Sequence, residues 1–159
     1  SLEDVLYVAS WAEGTVTEFN TTTKTETGNY AAFRSGANGL CVDPDNTNML
    51  YLTTSGSFEN GVLDASTAAV YAIDLDADWR TTLLYDAAAA SDLFGDGKEI
   101  APNGCIVYRS ILYVAEYTNP GYLVKYNLNT GAWSYNELPF ALVDGLVEVE
   151  GYLFATSQG

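Results

Sequence analysis

The side chains of this sequence that could do chemistry are carboxylates, carboxamides and two thiols; there is no histidine. Without an imidazole, a Ser-His-Asp triad, a Cys-His dyad and a histidine-ligated zinc are all excluded. Three of the oxygen-bearing groups recur in one setting: Asn38-Gly39, Asn103-Gly104 and Asp144-Gly145 each stand before a short apolar run. As residue chemistry this is turn-making, because glycine accepts positive φ and a short Asn or Asp side chain bonds to nearby backbone. Asp74, Asp76 and Asp78 imitate the start of an EF-hand loop, but Trp79 takes the glycine position and Tyr85 the terminal glutamate position, so no such loop is expected. Asp92, Asp96 and Glu99 offer a surface calcium loop or, more simply, a solvated acidic one. Cys41 and Cys105 lie in equivalent apolar strands, one residue out of phase. Period two aims them at opposite sheet faces, and the expectation is two buried free thiols rather than a disulfide.

Strands must position these groups. Residues 101–117 hold a turn, an apolar strand, a second turn and a second apolar strand; 38–55 and 144–157 repeat the plan, and 2–10 resemble its second half. The matched small residue of the second strand falls at Ala9, Thr53, Ala115 and Ala155, at spacings of 44, 62 and 40. Further strands are expected at 15–19, 29–33, 69–75, 81–86, 122–127 and 132–138, from apolar alternation between turn signals. The stretch 56–66 reads as a loop, and the Ala-rich 87–94 as the one helical piece.

Spacings near 40 suit four-stranded propeller blades. The expected fold is therefore all-β: a β-propeller segment of four-stranded antiparallel blades, about three of them, in one unit over 1–159. The division is strands two to four of one blade in 1–37, a full blade in 38–86, an insertion with a short helix in 87–102, a full blade in 103–143, and the first two strands of a further blade in 144–159. Closed rings have roughly four to eight blades. The segment thus reads as part of a larger or assembled ring, with a partner surface at each end. It opens within a repeat, as a processed product or a piece of a longer polypeptide would.

The net charge is −15, with six basic residues against 21 acids. Such a field repels polyanions, so nucleic acid is not an expected partner; its first meaning is solubility or a salty or extracellular medium. No apolar run is long enough to cross a bilayer. Asn20-Thr21-Thr22 is an N-glycosylation sequon, compatible with secretion. Of the 12 tyrosines and three tryptophans, most fall inside strands, where packing between blades explains them. Trp11, Tyr117 and Tyr122 lie after or between strands and are the candidates for surface contact.

Residues 102–104 (PNG), 112–116 (LYVAE) and 121–126 (GYLVKY), with 143–146 (VDGL) and 42–44 (VDP), resemble runs in the six-bladed propellers of the SMP-30/gluconolactonase-like and strictosidine-synthase-like group. The resemblance covers most of the chain from Asn38 onward. It implies a divalent metal, usually Ca²⁺, held in a central channel by oxygens at the starts of the innermost strands, where Asn103 and Asp144 match and Asn38 is a third. Hard amide and carboxylate oxygens suit that ion. In an enzyme of this kind Asp144 would also move a proton while the metal polarises a lactone or ester carbonyl. Two functions follow as expectations. The first is a non-catalytic propeller module for protein binding or assembly, extracellular, whose partner is another protein or the further blades that complete the ring. The alternative is part of a calcium-dependent lactonase or esterase.

Overall fold

The computed structural model describes residues 4–33, 36–59, 62–95 and 99–158. Among the described residues four successive antiparallel blades run up and down along the chain, and a fifth, two-stranded sheet is inserted in the second. Blade 1 is β1 (Val5–Ser10), β2 (Thr15–Asn20) and β3 (Thr25–Ala32). Blade 2 is β4 (Ala37–Val42), β5 (Met49–Thr54), β8 (Ala69–Asp74) and β9 (Arg80–Asp86), with a hairpin of β6 (Ser57–Glu59) and β7 (Val62–Asp64) inserted between β5 and β8. Blade 3 is β10 (Pro102–Tyr108), β11 (Ile111–Glu116), β12 (Tyr122–Asn127) and β13 (Trp133–Glu137); blade 4 is β14 (Val143–Val149) paired with β15 (Tyr152–Ser157). The expected all-β propeller segment of four-stranded antiparallel blades is what the chain builds.

Alternation along the second strands explains the stacking. In β5, Leu50 and Leu52 point to one face and Tyr51 to the other, as period two requires. The first face joins Val16, Ala31 and Ala37 in a core shared with blade 1. The second face, with Val70, Ala72 and Tyr85, meets Val107, Leu112, Val114 and Val124 of blade 3 in another core. Blade 2 is thus apolar on both faces and buries each against a different neighbour. A fully buried leucine contributes about 1.5–3 kcal/mol here.

Helix α1 (Ala87–Phe94) forms where the Ala-rich run predicts it. Asp86 caps it, its carboxylate accepting from the amides of Ala88 and Ala89 at 3.0 Å, and Gly95 ends it at φ 90°.

The structure corrects four expectations about the fold. Cys41 and Cys105 form a disulfide, with Cα atoms 5.9 Å apart, and are not free thiols. The opposite parity of the two cysteines is right; the inference from it is not. Adjacent blades pack the forward face of one against the rear face of the next, so equivalent strands meet through residues of opposite parity. The stretch 56–66 is not a plain loop, since it holds β6 and β7. The outer strand expected at 29–33 is the longer β3, from Thr25. Finally, β15 pairs Leu146 with Ala155 and Val143 with Ser157, so Thr156, not Ala155, faces the bulge as Thr53 and Ala115 do in blades 2 and 3.

Candidate functional site

In each meander the loops from second to third strand and from fourth strand to the next blade lie on one side. That side gathers the elements that depart from the plain repeat: the β6–β7 hairpin, α1, and the 117–121 loop. It also holds Asn38, Asn103 and Asp144, each at the bulge that opens an innermost strand, Trp11 and Tyr117 just after second strands, and Tyr122 as the first residue of β12. Asn20 lies on the opposite side, as the last residue of β2, where its Oδ1 accepts from the amides of Thr22 and Thr23 in the turn that follows.

The Asn-Gly and Asp-Gly pairs fit the blades together. A Cβ on Gly39 would collide with the Asn103 carbonyl oxygen of the next innermost strand, and a Cβ on Gly104 with that of Asp144. Glycine is required at both because the backbones approach too closely for a side chain. Hydroxyls clasp the seam. Thr53 Oγ1 accepts from the Gly39 amide at 2.8 Å and donates to the Asn103 carbonyl. Asn38 Nδ2 donates to Ser55 Oγ at 2.8 Å, and that hydroxyl donates to the Pro102 carbonyl at 2.7 Å. At blade 4, Gln158 bridges: its Nε2 donates to Asp144 Oδ2 at 2.5 Å, and its Oε1 accepts from Tyr117 Oη at 3.2 Å.

These bonds bear on a cation. Asn38 spends its amide nitrogen and Asp144 one carboxylate oxygen, leaving hard oxygens on both. Three side chains supply fewer than the six to eight oxygens Ca²⁺ takes, so water or further groups would complete its shell. Among the described residues no three His, Cys, Asp or Glu side chains gather as a metal cluster. Asp96 lies outside the described residues. Asp74 instead pairs with Arg80 at 3.2 Å, and Asp76 accepts from Asn48 at 2.6 Å.

Below this side lies a group that sequence reasoning does not single out. Glu116, the last residue of β11, is 1% exposed; its Oε2 accepts from the Ala101 amide at 2.8 Å. Its Oε1 and the hydroxyl of buried Tyr85 interact but have no hydrogen bond of standard geometry. Burial pushes the carboxyl up to about 8, against the lowering effect of the Ala101 amide and the nearby Tyr85 hydroxyl. The Tyr85 hydroxyl is raised too, chiefly by burial and then by Glu116. The signal in the sequence is an acid closing an apolar run, where β5 ends in Thr54 and β15 in Ser157.

Above Glu116 a solvent-open hollow of about 460 Å³ is lined by residues 99–101, 117–120, Tyr122, Leu142 and Ala65. Of the three residues expected at the surface, Tyr117 lines it and Trp11, 39% exposed, stands on the same side at blade 1; Tyr122 corrects that expectation, because it is the first residue of β12, packs in the core and is 7% exposed.

No helix among the described residues is long and apolar enough to cross a membrane. Neither a protein-family profile nor a curated protein sequence matches the chain. Similar solved structures include a chain of a nidogen/laminin complex (13% identity, TM-score 0.69, covering 98% of this chain and 52% of that one). The β-propeller domain of Cps50 (Swd1) from Myceliophteria thermophila matches at 13% identity and TM-score 0.68, over 98% of this chain and 46% of that one. BamB from Moraxella catarrhalis matches at 16% identity and TM-score 0.61, over 99% and 38%. The chain spans about half the length of such proteins or less. At these identities the likeness shows the fold, a β-propeller, and no narrower family within it.

Proposed function

We propose that this propeller segment is a non-catalytic module for protein binding or assembly, working in an extracellular or other oxidising compartment, with further propeller blades as its main partner. One observation carries the reading: the outward faces of blades 1 and 4 bear the residues that interior blades bury. Leu6 stands where Leu50 and Leu112 stand, yet it is 54% exposed against 1% and 0%. Phe154 stands where Tyr51 stands, 54% exposed against 5%. Val8 joins Leu6 on one face; Val147, Val149 and Tyr152 join Phe154 on the other. Apolar patches of this kind are covered in a working assembly or mark an interaction site. The Cys41–Cys105 disulfide supports the compartment, since such bonds persist where thiols are not kept reduced; glycosylation at Asn20 would accompany secretion.

Nile red binding to the dilute native protein tests the assembly reading. Fluorescence is expected, and Leu6→Asp and Phe154→Asp should each remove part of it at unchanged thermal unfolding. A native chain that leaves the dye dark, or two variants that bind it as the parent does, would sink the reading.

A calcium-dependent lactonase or esterase is the second reading, favoured by the recurrence of Asn38, Asn103 and Asp144 at the same bulge of three successive innermost strands. These residues would hold the ion, which would polarise the carbonyl, while Asp144 moves the proton. Stoichiometric calcium binding and lactone hydrolysis, both lost in Asp144→Ala and Asn103→Ala, would establish it over the first; unaltered metal content and no hydrolysis would remove it.

A further inference from the structure

We infer that the hollow at Tyr117 and Tyr122 receives a basic side chain, arginine above lysine, presented by a protein partner. This hollow lies on the loop side of blade 3, apart from the end faces.

The lining chemistry selects the ligand. Tyr117, Glu99 and Asn119 line the hollow, the buried Tyr122, 7% exposed, closes it from behind, and among the described residues no basic one belongs to the lining. Aromatic faces attract cations through the ring quadrupole, and a carboxylate beside them adds direct charge pairing. The planar guanidinium stacks on such rings and is weakly hydrated, which favours arginine. The net charge of −15 works in the same direction, raising the local concentration of cations and repelling carboxylate or phosphate ligands. A volume of about 460 Å³ exceeds one guanidinium head, leaving room for its aliphatic stem and flanking peptide, for which Leu142, Ile100 and Pro120 supply apolar contact.

The walls are built before any ligand arrives. Tyr122 packs on Phe94 at 4.8 Å between ring centroids and meets Tyr135 edge-on at 5.7 Å. Tyr117 is tethered by Gln158 and by its own amide, which donates to the Ala101 carbonyl at 2.8 Å. Thr118 Oγ1 donates to the Pro120 carbonyl at 2.8 Å, and the Thr118 carbonyl accepts from the Leu142 amide at 2.9 Å. Glu116 pins the Ala101 amide from below. A site whose rotamers and loops are already fixed loses little entropy on binding, so even one side chain can be held. Helix α1 thereby gains a purpose, since it brings Phe94 behind Tyr122.

The test is titration of the ¹⁵N-labelled 159-residue protein with the acetylated, amidated tripeptide Gly-Arg-Gly, with Gly-Lys-Gly, Gly-citrulline-Gly and Gly-Glu-Gly peptides and a neutral disaccharide as comparisons. The arginine peptide should give saturable amide shifts confined to residues 99–101, 117–121 and 142, with lysine weaker. Citrulline, which keeps the shape and loses the charge, should not saturate. Glu99→Gln and Tyr117→Ala should each weaken the arginine peptide about fivefold to tenfold, while Tyr117→Phe retains most of the affinity. Added salt should weaken binding. Saturation by citrulline or the disaccharide at equal or higher affinity, shifts at other residues, or no saturation by arginine would each overturn the assignment. Retained dispersion of the amide spectrum in each variant separates lost binding from lost folding.

Discussion

The seam between blades 2 and 3 and the outward faces of blades 1 and 4 use the same strand pattern, and they end in opposite environments. At the seam, Tyr51, Tyr85, Leu112 and Val114 interlock, a disulfide crosses, and a carboxyl is sealed in. On the outward faces, Leu6, Val8, Val147 and Phe154 meet solvent. Residue type is the same in the two places; the neighbour differs. A blade cannot bury its own faces, because alternation sends half of each strand's apolar residues to either side and only another sheet can cover them. Stability therefore resides in seams, and substitutions at the seam should cost far more than the same substitutions on an outward face.

The largest difference should come from the disulfide. It closes a loop with a sequence separation of 64, for which chain entropy gives about 4 kcal/mol. Cys41→Ser with Cys105→Ser, or reduction of the native protein, should lower the denaturation midpoint by a corresponding amount. A midpoint within error of the parent would show that the seam does not depend on the crosslink. Truncation comes next. Leu50→Ala should cost about 3 kcal/mol, since it empties a site shared by two blades, whereas Leu6→Ala should cost about 0.5 kcal/mol or less in the isolated chain. Equal costs, measured by chemical denaturation, would mean that the outward face is covered after all.

Third is the pH dependence of the sealed carboxyl. Because the folded state raises Glu116 from 4.5 to about 8, it holds a proton that the unfolded chain releases. The contribution is full below pH ~4.5, declines as the pH rises towards ~8, and is level above. Within that window each pH step of one removes about 1.4 kcal/mol, less whatever water entry beside the ionised group restores. Glu116→Gln should flatten unfolding free energy across the same range. A parent protein whose stability does not fall between those limits would place Glu116 in contact with solvent.

What is legible in the sequence follows from the same physics. Turn signals and alternation are local, so the meanders and the Asp86-capped helix can be read directly. Asn103 and Asp144 are legible as openings of innermost strands, but their glycines owe their place to a neighbouring backbone, which no single strand displays. The disulfide escapes a comparison of Cys41 and Cys105 as members of separate sheets, although opposite parity is what stacking blades bring into contact. The β6–β7 hairpin has three-residue strands, too short for alternation to declare itself. The one local sign of Glu116 is an acid closing an apolar run; its burial comes from Tyr85 and residues 100–101, which lie elsewhere along the chain. Ala155 matches the repeat in place of Thr156 because small residues adjoin in β15 and only the hydrogen-bond register separates them.

That register supplies the smallest and sharpest contrast. Thr53 and Thr156 occupy the same position, and each accepts from the glycine amide of its own bulge at 2.8 Å. Thr53 alone also reaches across a seam, donating to the Asn103 carbonyl. Valine keeps the shape and removes both bonds. Thr53→Val should therefore cost about 1–2 kcal/mol, because the Gly39 amide and the Asn103 carbonyl are left in a closed interface, while at the open end Thr156→Val should cost about 0.5 kcal/mol, since water can serve Gly145. If further blades cover blade 4 in the assembled protein, Thr156 becomes a seam residue and the gap should close there, with Thr156→Val approaching the cost of Thr53→Val. The pair thus reports, from two conservative substitutions, whether a given preparation has its end face open or covered.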